Sequence, residues 1–281
     1  MRSWSSIPLD DNGDYVDWPL QKRESLDDVI PAEVCHYTRA TTALERILYD
    51  GRLRLGNLNS TNDPLESQLR IFDYNNNPKS KYDVIGIVRS FAYLKNIKVL
   101  CTSCHNNPLW EIGNQQYLDN VPASGLGHSA MWAHYSDNHK GICILFDGKT
   151  LDKNIRDKVK DNGRIRCGFI KYDYEASILP IEGDSSQPLS LFNNYKANLL
   201  CKSPEWKTEH EFRWLVYDEE KDDLFVSIEN AIKGVVVGWG FHQTYIPSLI
   251  KLCEKFHIPA GQIDWLQGEP SIDYYKIYEP K

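Results

Sequence analysis

The chain has 281 residues, of which 41% are hydrophobic and 25% charged, a balance that supports one sizeable folded core and excludes a peptide, a collagen-like fibre or a low-complexity tail. Its 32 Lys and Arg against 39 Asp and Glu give a net charge of −7, which argues against a broad phosphate-binding surface while leaving room for a local basic groove.

Residues 1–30 are polar, with Asp10, Asp11, Asp14 and Asp17, and form an expected N-terminal arm before a single domain over 31–281. Residues 33–38 alternate as a short strand. Leu44, Ile47 and Leu48 then follow at helical spacing until Gly51, a residue suited to a left-handed helix end. Residues 52–55 alternate as a second strand. Asn62-Asp-Pro-Leu-Glu66 supplies a capping side chain, a first-turn proline and a first-turn carboxylate, which together open a helix towards Tyr74. A further helix is expected over 84–94, a strand over 97–103, a long loop over 106–127, a short helix over 129–135 and an apolar strand over 142–146. The remaining chain gives strands at 164–172, 212–217, 224–228, 234–237, 263–266 and 272–277, with helices at 189–200 and 245–256. Strands outnumber helices and alternate with them irregularly. The expected fold is therefore α+β, a single domain with a split antiparallel sheet flanked by helices.

No run approaches the roughly 18 apolar residues of a membrane span, and the first residues lack the apolar stretch of a signal peptide, so a cytoplasmic protein is expected. Seven cysteines, spread from Cys35 to Cys253 and mostly inside apolar segments, speak against a disulfide scaffold. Cys101-Thr-Ser-Cys104-His105 has no second Cys or His pair at a supporting spacing, so no metal site is assigned to it.

Three segments concentrate chemistry. In Trp206-Lys-Thr-Glu-His-Glu-Phe-Arg-Trp-Leu-Val-Tyr217, a strand beginning near Glu209 would put Glu209, Glu211 and Arg213 on one face and His210, Phe212, Trp214 and Val216 on the core face. Arg213 could then hold Glu211 ionised, facing a cleft, or the row could be a solvated face with a surface ion pair. His36 and Thr38 share a face of the first strand, with Tyr37 pointing the other way, so both could reach one ligand, or His36 could be a satisfied core or edge residue. Met131-Trp-Ala-His-Tyr-Ser-Asp-Asn-His-Lys-Gly141 gathers Trp132, His134, Tyr135 and His139, whose rings could stack a flat heterocycle or simply pack.

Cys35-His-Tyr-Thr38, Asn62-Asp-Pro-x-Glu66, Met131-Trp-Ala-His-Tyr-x-Asp-x-His-x-Gly-x-Cys143 and Trp206-x-x-Glu-x-Glu-x-Arg213 resemble, in this order, the bacterial domain-of-unknown-function family 2971 over about 34–237. That family is found among phage-defence and abortive-infection proteins and is distantly similar to ADP-ribosyltransferases, including toxins that modify DNA. The resemblance implies an ADP-ribosyltransferase-like fold and an NAD-dependent mono-ADP-ribosyltransferase, a toxin or antiviral-defence effector. In it, His36, Tyr37 and Thr38 with Trp132, His134 and Tyr135 would hold NAD as substrate, and Glu211, Glu209 and Arg213 would form the catalytic set, Glu211 stabilising the oxocarbenium-like ribose. It further implies a macromolecular acceptor, protein or nucleic acid, and a cognate antitoxin as partner. Two other classes fit the same residues: a metal-dependent nuclease using Asp63, Glu66, Glu209 and Glu211, and a non-catalytic nucleotide-binding regulator.

Overall fold

The alternating segments pair into one branched sheet. The computed structural model describes residues 30–63, 95–104, 125–160, 164–172, 199–220, 222–267 and 269–280. From one edge the strand order is β12 (Glu269–Tyr278), β11 (Ala260–Leu266), β10 (Ile232–Val237), β4 (Ile142–Asp147), β1 (Glu33–Thr38) and β3 (Ile97–Ser103). There the sheet divides. β1 meets β3 at one register pair, Cys35 with Ser103, and β2 (Arg52–Asn57), itself paired to β9 (Leu224–Ser227), takes the start of the same edge at Val99 and Lys98. The other edge of β3 pairs along all seven residues with β8 (Glu211–Tyr217), which carries β5 (Ile165–Phe169) outside it. A separate two-stranded ribbon joins β6 (Lys171–Tyr172) and β7 (Cys201–Lys202).

The α+β class holds, with one correction: the sheet is mixed, because β10 and β11 run parallel. A parallel pair needs a crossover connection, and the helix Ile246–Phe256 between the two strands supplies it. That helix, the helical turns over Ala40–Thr42 and Ala43–Leu48, and the helix Gly148–Val159 lie together on one face. Leu44, Leu48, Leu151, Ile155, Leu249 and Cys253 pack there against Val34, Ile144, Phe212, Trp214 and Val235 as the main core. The opposite face carries two smaller clusters. One surrounds Ile97, Val99, Leu215 and Tyr217, and the other joins Tyr37, Met131, Trp132, Cys143 and Val236.

Local chemistry accounts for most boundaries. The helix Ser129–Tyr135 and the strand Ile97–Ser103 fall where their patterns place them. Gly51, at φ +69°, ends the first helical segment as its sequence suggests. The helix Gly148–Val159 has no counterpart among the expected elements; it is capped by Asp147, whose carboxylate accepts from Thr150 N at 2.8 Å. The strand expected from Glu209 begins instead at Glu211. Pro204 opens a 3₁₀ turn over Pro204–Glu209, and His210 closes it in the left-handed region at φ 47°, so Glu209 lies outside the period-two register. The expected arm over 1–30, for all but its last residue, lies outside the described residues. So do residues 64–74 of the helix opened at Asn62, the helix at 84–94, nearly all of the loop at 106–127, and the helix at 189–200 up to 198.

Candidate active site

Where β1 and β3 part, a cleft of about 230 Å³ opens between the two smaller clusters. Its walls come from Cys35, His36 and Tyr37 of β1, Thr61 and Asn62 beyond β2, and Cys101, Thr102 and Ser103 of β3. Met131 and Tyr135 of the short helix, Lys202 of β7, and the two carboxylates Glu209 and Glu211 complete it. Four of the residues singled out from separate stretches of sequence, His36, Tyr135, Glu209 and Glu211, thus share one lining.

The period of two in β8 holds from its first residue. Phe212, Trp214 and Val216 enter the main core, while Glu211 and Arg213 lie on the other face, directly opposite Ser103 and Cys101. That face is no solvated surface: Glu211 is 3% exposed and Arg213 1%. Arg213 grips Glu211 bidentately, Nε to Oε1 at 2.7 Å and Nη2 to Oε2 at 2.9 Å, and sends Nη1 to the Leu199 carbonyl at 3.1 Å. Lys202 Nζ bridges the carboxylates, 2.8 Å from Glu211 Oε2 and 2.6 Å from Glu209 Oε2. The second oxygen of Glu209 accepts from the Tyr135 hydroxyl, and the Ser103 hydroxyl donates to the Glu209 carbonyl at 2.7 Å. Two carboxylates, one ammonium and one guanidinium therefore form a buried network of zero net charge.

Their environments push the two acids apart. Burial alone would raise Glu211, but the Arg213 guanidinium and the Lys202 ammonium outweigh it and hold this carboxyl well below the usual range. For Glu209 burial dominates, the single ammonium offsets only part of it, and neighbouring Glu211 adds repulsion, so its pKa is raised. The Cys101 thiol also hydrogen-bonds Glu211. With Arg213 Nε and Nη2 and Lys202, that makes four donors for the roughly four acceptor positions of a carboxylate. Glu209 has two such partners on its side chain, Tyr135 and Lys202.

His36 stands at the branch itself. With β1 and β3 no longer paired, its Nδ1 donates to the Cys101 carbonyl at 3.3 Å, the tautomer that a carbonyl acceptor requires. Burial lowers its pKa, the carbonyl contact offsetting part of this, so the neutral ring is favoured in the fold. A cationic group depressed by folding stabilises the fold above its unfolded pKa of about 6.5 and ceases to do so as pH falls through the folded value. Denaturant unfolding of the protein is accordingly expected to show stability falling as pH drops below about 6.5, by no more than about 1.4 kcal/mol per pH unit for this one proton. His139, lowered by burial, adds a slope of the same sign. His36→Gln should remove the first part and leave the second; an unchanged pH slope in the variant would contradict this.

The other expected ligands lie elsewhere. Tyr37 is among the lining residues, but its ring packs edge-on against Trp132 and its hydroxyl donates to the Gly125 carbonyl. Thr38 is buried off the cleft. Trp132 is a core residue, edge-on to Tyr37 at 5.1 Å with Nε1 donating to the Leu126 carbonyl at 2.8 Å, and His134 is exposed beyond the cleft wall. His210 is not in the main-core row; it stacks on His128 at 4.1 Å. Asp63 is buried outside the cleft, Glu66 lies outside the described residues, and among the described residues no group of three or more His, Cys, Asp or Glu is arranged to hold a metal. Cys101 faces the cleft and Cys104 the main core, so they cannot act as one ligand pair, and none of the seven cysteines is joined in a disulfide. Among the described residues no helix is long and apolar enough to cross a membrane. Lys202 is the charged member of the cleft lining that the sequence pattern did not suggest.

No curated protein and no solved structure matches the chain. The stretch that supplies Tyr135, Lys202, Glu209 and Glu211 is also the stretch that carries a family signature: residues 131–214 match the model of a family described as "Protein of unknown function (DUF2971)".

Proposed function

We propose that the protein is an NAD-dependent mono-ADP-ribosyltransferase that acts as a toxin or phage-defence effector. The observation that carries this reading is the shared lining: a strand histidine, a helix tyrosine and two buried carboxylates of unlike character meet in one cleft at the fork of the sheet. At about 230 Å³ the cleft is smaller than most small-molecule pockets, so it would enclose the nicotinamide and its ribose while the remaining nucleotide lies along the rim.

The chemistry asks for two acidic roles. When the bond between ribose C1′ and the nicotinamide nitrogen breaks, its electron pair leaves with the ring, which becomes neutral, and C1′ develops oxocarbenium character. Glu211, a carboxylate held ionised with its acceptor positions filled, supplies fixed compensating charge. Glu209, with acceptor capacity left and a raised pKa, is suited to grip a ribose hydroxyl and to take the proton of the acceptor nucleophile as it bonds to C1′. Tyr135, hydrogen-bonded to Glu209, places an aromatic ring beside this pair for the pyridinium to stack on.

The test is release of nicotinamide from NAD, with a cell lysate as the source of acceptor. The protein should release it and transfer labelled ADP-ribose, and Glu209→Gln and Glu211→Gln should fall to background while keeping a folded circular-dichroism spectrum. No release by the parent protein, or parent-like release by both variants, would refute the reading.

A further inference from the structure

We propose that Lys202 is a positioning residue of this cleft, its ammonium clamped between Glu209 and Glu211 so that the two carboxylates are held at a fixed spacing and given separate tasks. The assignment deepens the transferase reading and rests on it for its catalytic meaning, although the geometry behind it stands alone.

Three observations place Lys202 in that role. Its Nζ lies 2.6 Å from Glu209 Oε2 and 2.8 Å from Glu211 Oε2, and the residue is 5% exposed, so both contacts are made out of water. The ammonium also stands 5.4 Å above the Trp206 ring, on the 3₁₀ turn that ends at Glu209. Finally, the short β6–β7 ribbon gains a purpose. Its register sets Tyr172 opposite Lys202, and both reach Glu211, whose backbone N–H donates to the Tyr172 hydroxyl at 2.9 Å while its carboxylate takes the ammonium. The ribbon thus holds Glu211 at two points and Glu209 at one.

The consequence is a division of labour. Arg213 commits Nε and Nη2 to Glu211, whereas Lys202 reaches both acids, so Lys202 is a cation through which the fold restrains the second acid. With the ammonium removed, Glu209 would keep its burial and its repulsion by Glu211 but lose its nearest opposite charge. Its proton affinity should then rise, so that at any given pH a larger share of this acid already carries its proton and less can accept one. An arginine keeps a positive charge at that point, although its planar fork cannot reproduce the ammonium's geometry in full.

The experiment uses the full chain labelled with ¹³C at the glutamate carboxyls, titrated by NMR. The signal lost in Glu209→Gln identifies Glu209 in the parent. In Lys202→Met that signal should titrate about 1–3 pH units higher, and Lys202→Arg should bring it back towards the parent value. Should Lys202→Met fail to fold, Lys202→Gln, whose amide can still donate to a carboxylate, is titrated in its place and should show the same direction of shift. A Glu209 signal titrating at the parental pH in a folded Lys202→Met or Lys202→Gln protein overturns the assignment. Nicotinamide release measured on the same proteins separates the two ideas. If the parent releases none, the transferase reading falls while the titration still decides Lys202. If it does, the ascending limb of the kcat–pH profile should move to higher pH in Lys202→Met and return in Lys202→Arg; an unmoved limb overturns the positioning role.

Discussion

Arg213→Met is expected to lower the free energy of unfolding by about 3–5 kcal/mol, measured by urea denaturation at pH 7. The guanidinium is 1% exposed and makes two of the hydrogen bonds that keep Glu211 ionised, with a third to the Leu199 carbonyl. Cutting it away leaves a buried carboxylate with Lys202 as its remaining nearby cation, already shared with Glu209. Burial of an ion is repaid only by its partners, so losing the stronger partner exposes most of the desolvation cost. The double variant Arg213→Met, Glu211→Leu removes both charges together and should recover most of the loss, since a buried ion pair replaced by apolar groups is often close to neutral. Arg213→Lys should fall between, because a point charge cannot reproduce the bidentate fork. Parent-like stability of Arg213→Met would mean that the network is solvated and that Glu211 is not the fixed anion assigned above.

Much of this site follows from short-range pattern. The row Phe212, Trp214, Val216 against Glu211, Arg213 could be sorted into two faces because a strand has a period of two, and the structure sorts them the same way. The left-handed turn between the short helix and β4 is equally local. Asp137, Asn138 and His139 take φ values of 47°, 51° and 66°, and all three are residue types enriched in this region. What escapes the pattern is set by partners distant in sequence. Lys202 sits in a two-residue strand before Ser203-Pro204, where an isolated lysine suggests a surface; only the return of Glu209 and Glu211 beside it makes burial affordable. Lys98 is a parallel case, buried in β3 with its ammonium on Asn57 Oδ1 and the Asp222 carbonyl. The helix Gly148–Val159 was legible in principle, through the Asp147 cap, Leu151 and Ile155 one turn apart, and Lys153 with Asp157 at i,i+4. Its glycine start and strongly polar composition obscured it. Glu209 was displaced from its expected strand by Pro204, whose fixed φ favours a turn that carries the residue to the cleft by another route.

Gly141→Ala is expected to destabilise the protein by about 1–3 kcal/mol or more, because an added methyl has nowhere to go. Its carbon would stand 2.3 Å from the Thr38 carbonyl oxygen, 2.7 Å from Ser136 Oγ and 3.0 Å from the Ser136 carbonyl oxygen. Two of these three are backbone atoms, and Thr38 is held in register by the last pair of the β1–β4 ladder, opposite Ile142. Relief would require the end of β1 to move away, two residues from His36. The same turn is confined from the other side by Gly238, where a Cβ would lie 2.0 Å from the His139 carbonyl oxygen. Asp137, His139 and Gly141 of the tryptophan-containing motif are thereby explained as scaffold: they fold the chain back closely enough to bring Tyr135 against the carboxylates, and the chemistry belongs to their neighbours. Gly56→Ala is the matched control. Its nearest neighbour would be Ser60 Oγ at 3.9 Å, so it should be neutral or gain about 0.4–1 kcal/mol from a less flexible unfolded chain. If Gly141→Ala melts with Gly56→Ala and the parent protein, and keeps the His36-dependent pH slope, the close approach of the turn to β1 is not what positions the cleft.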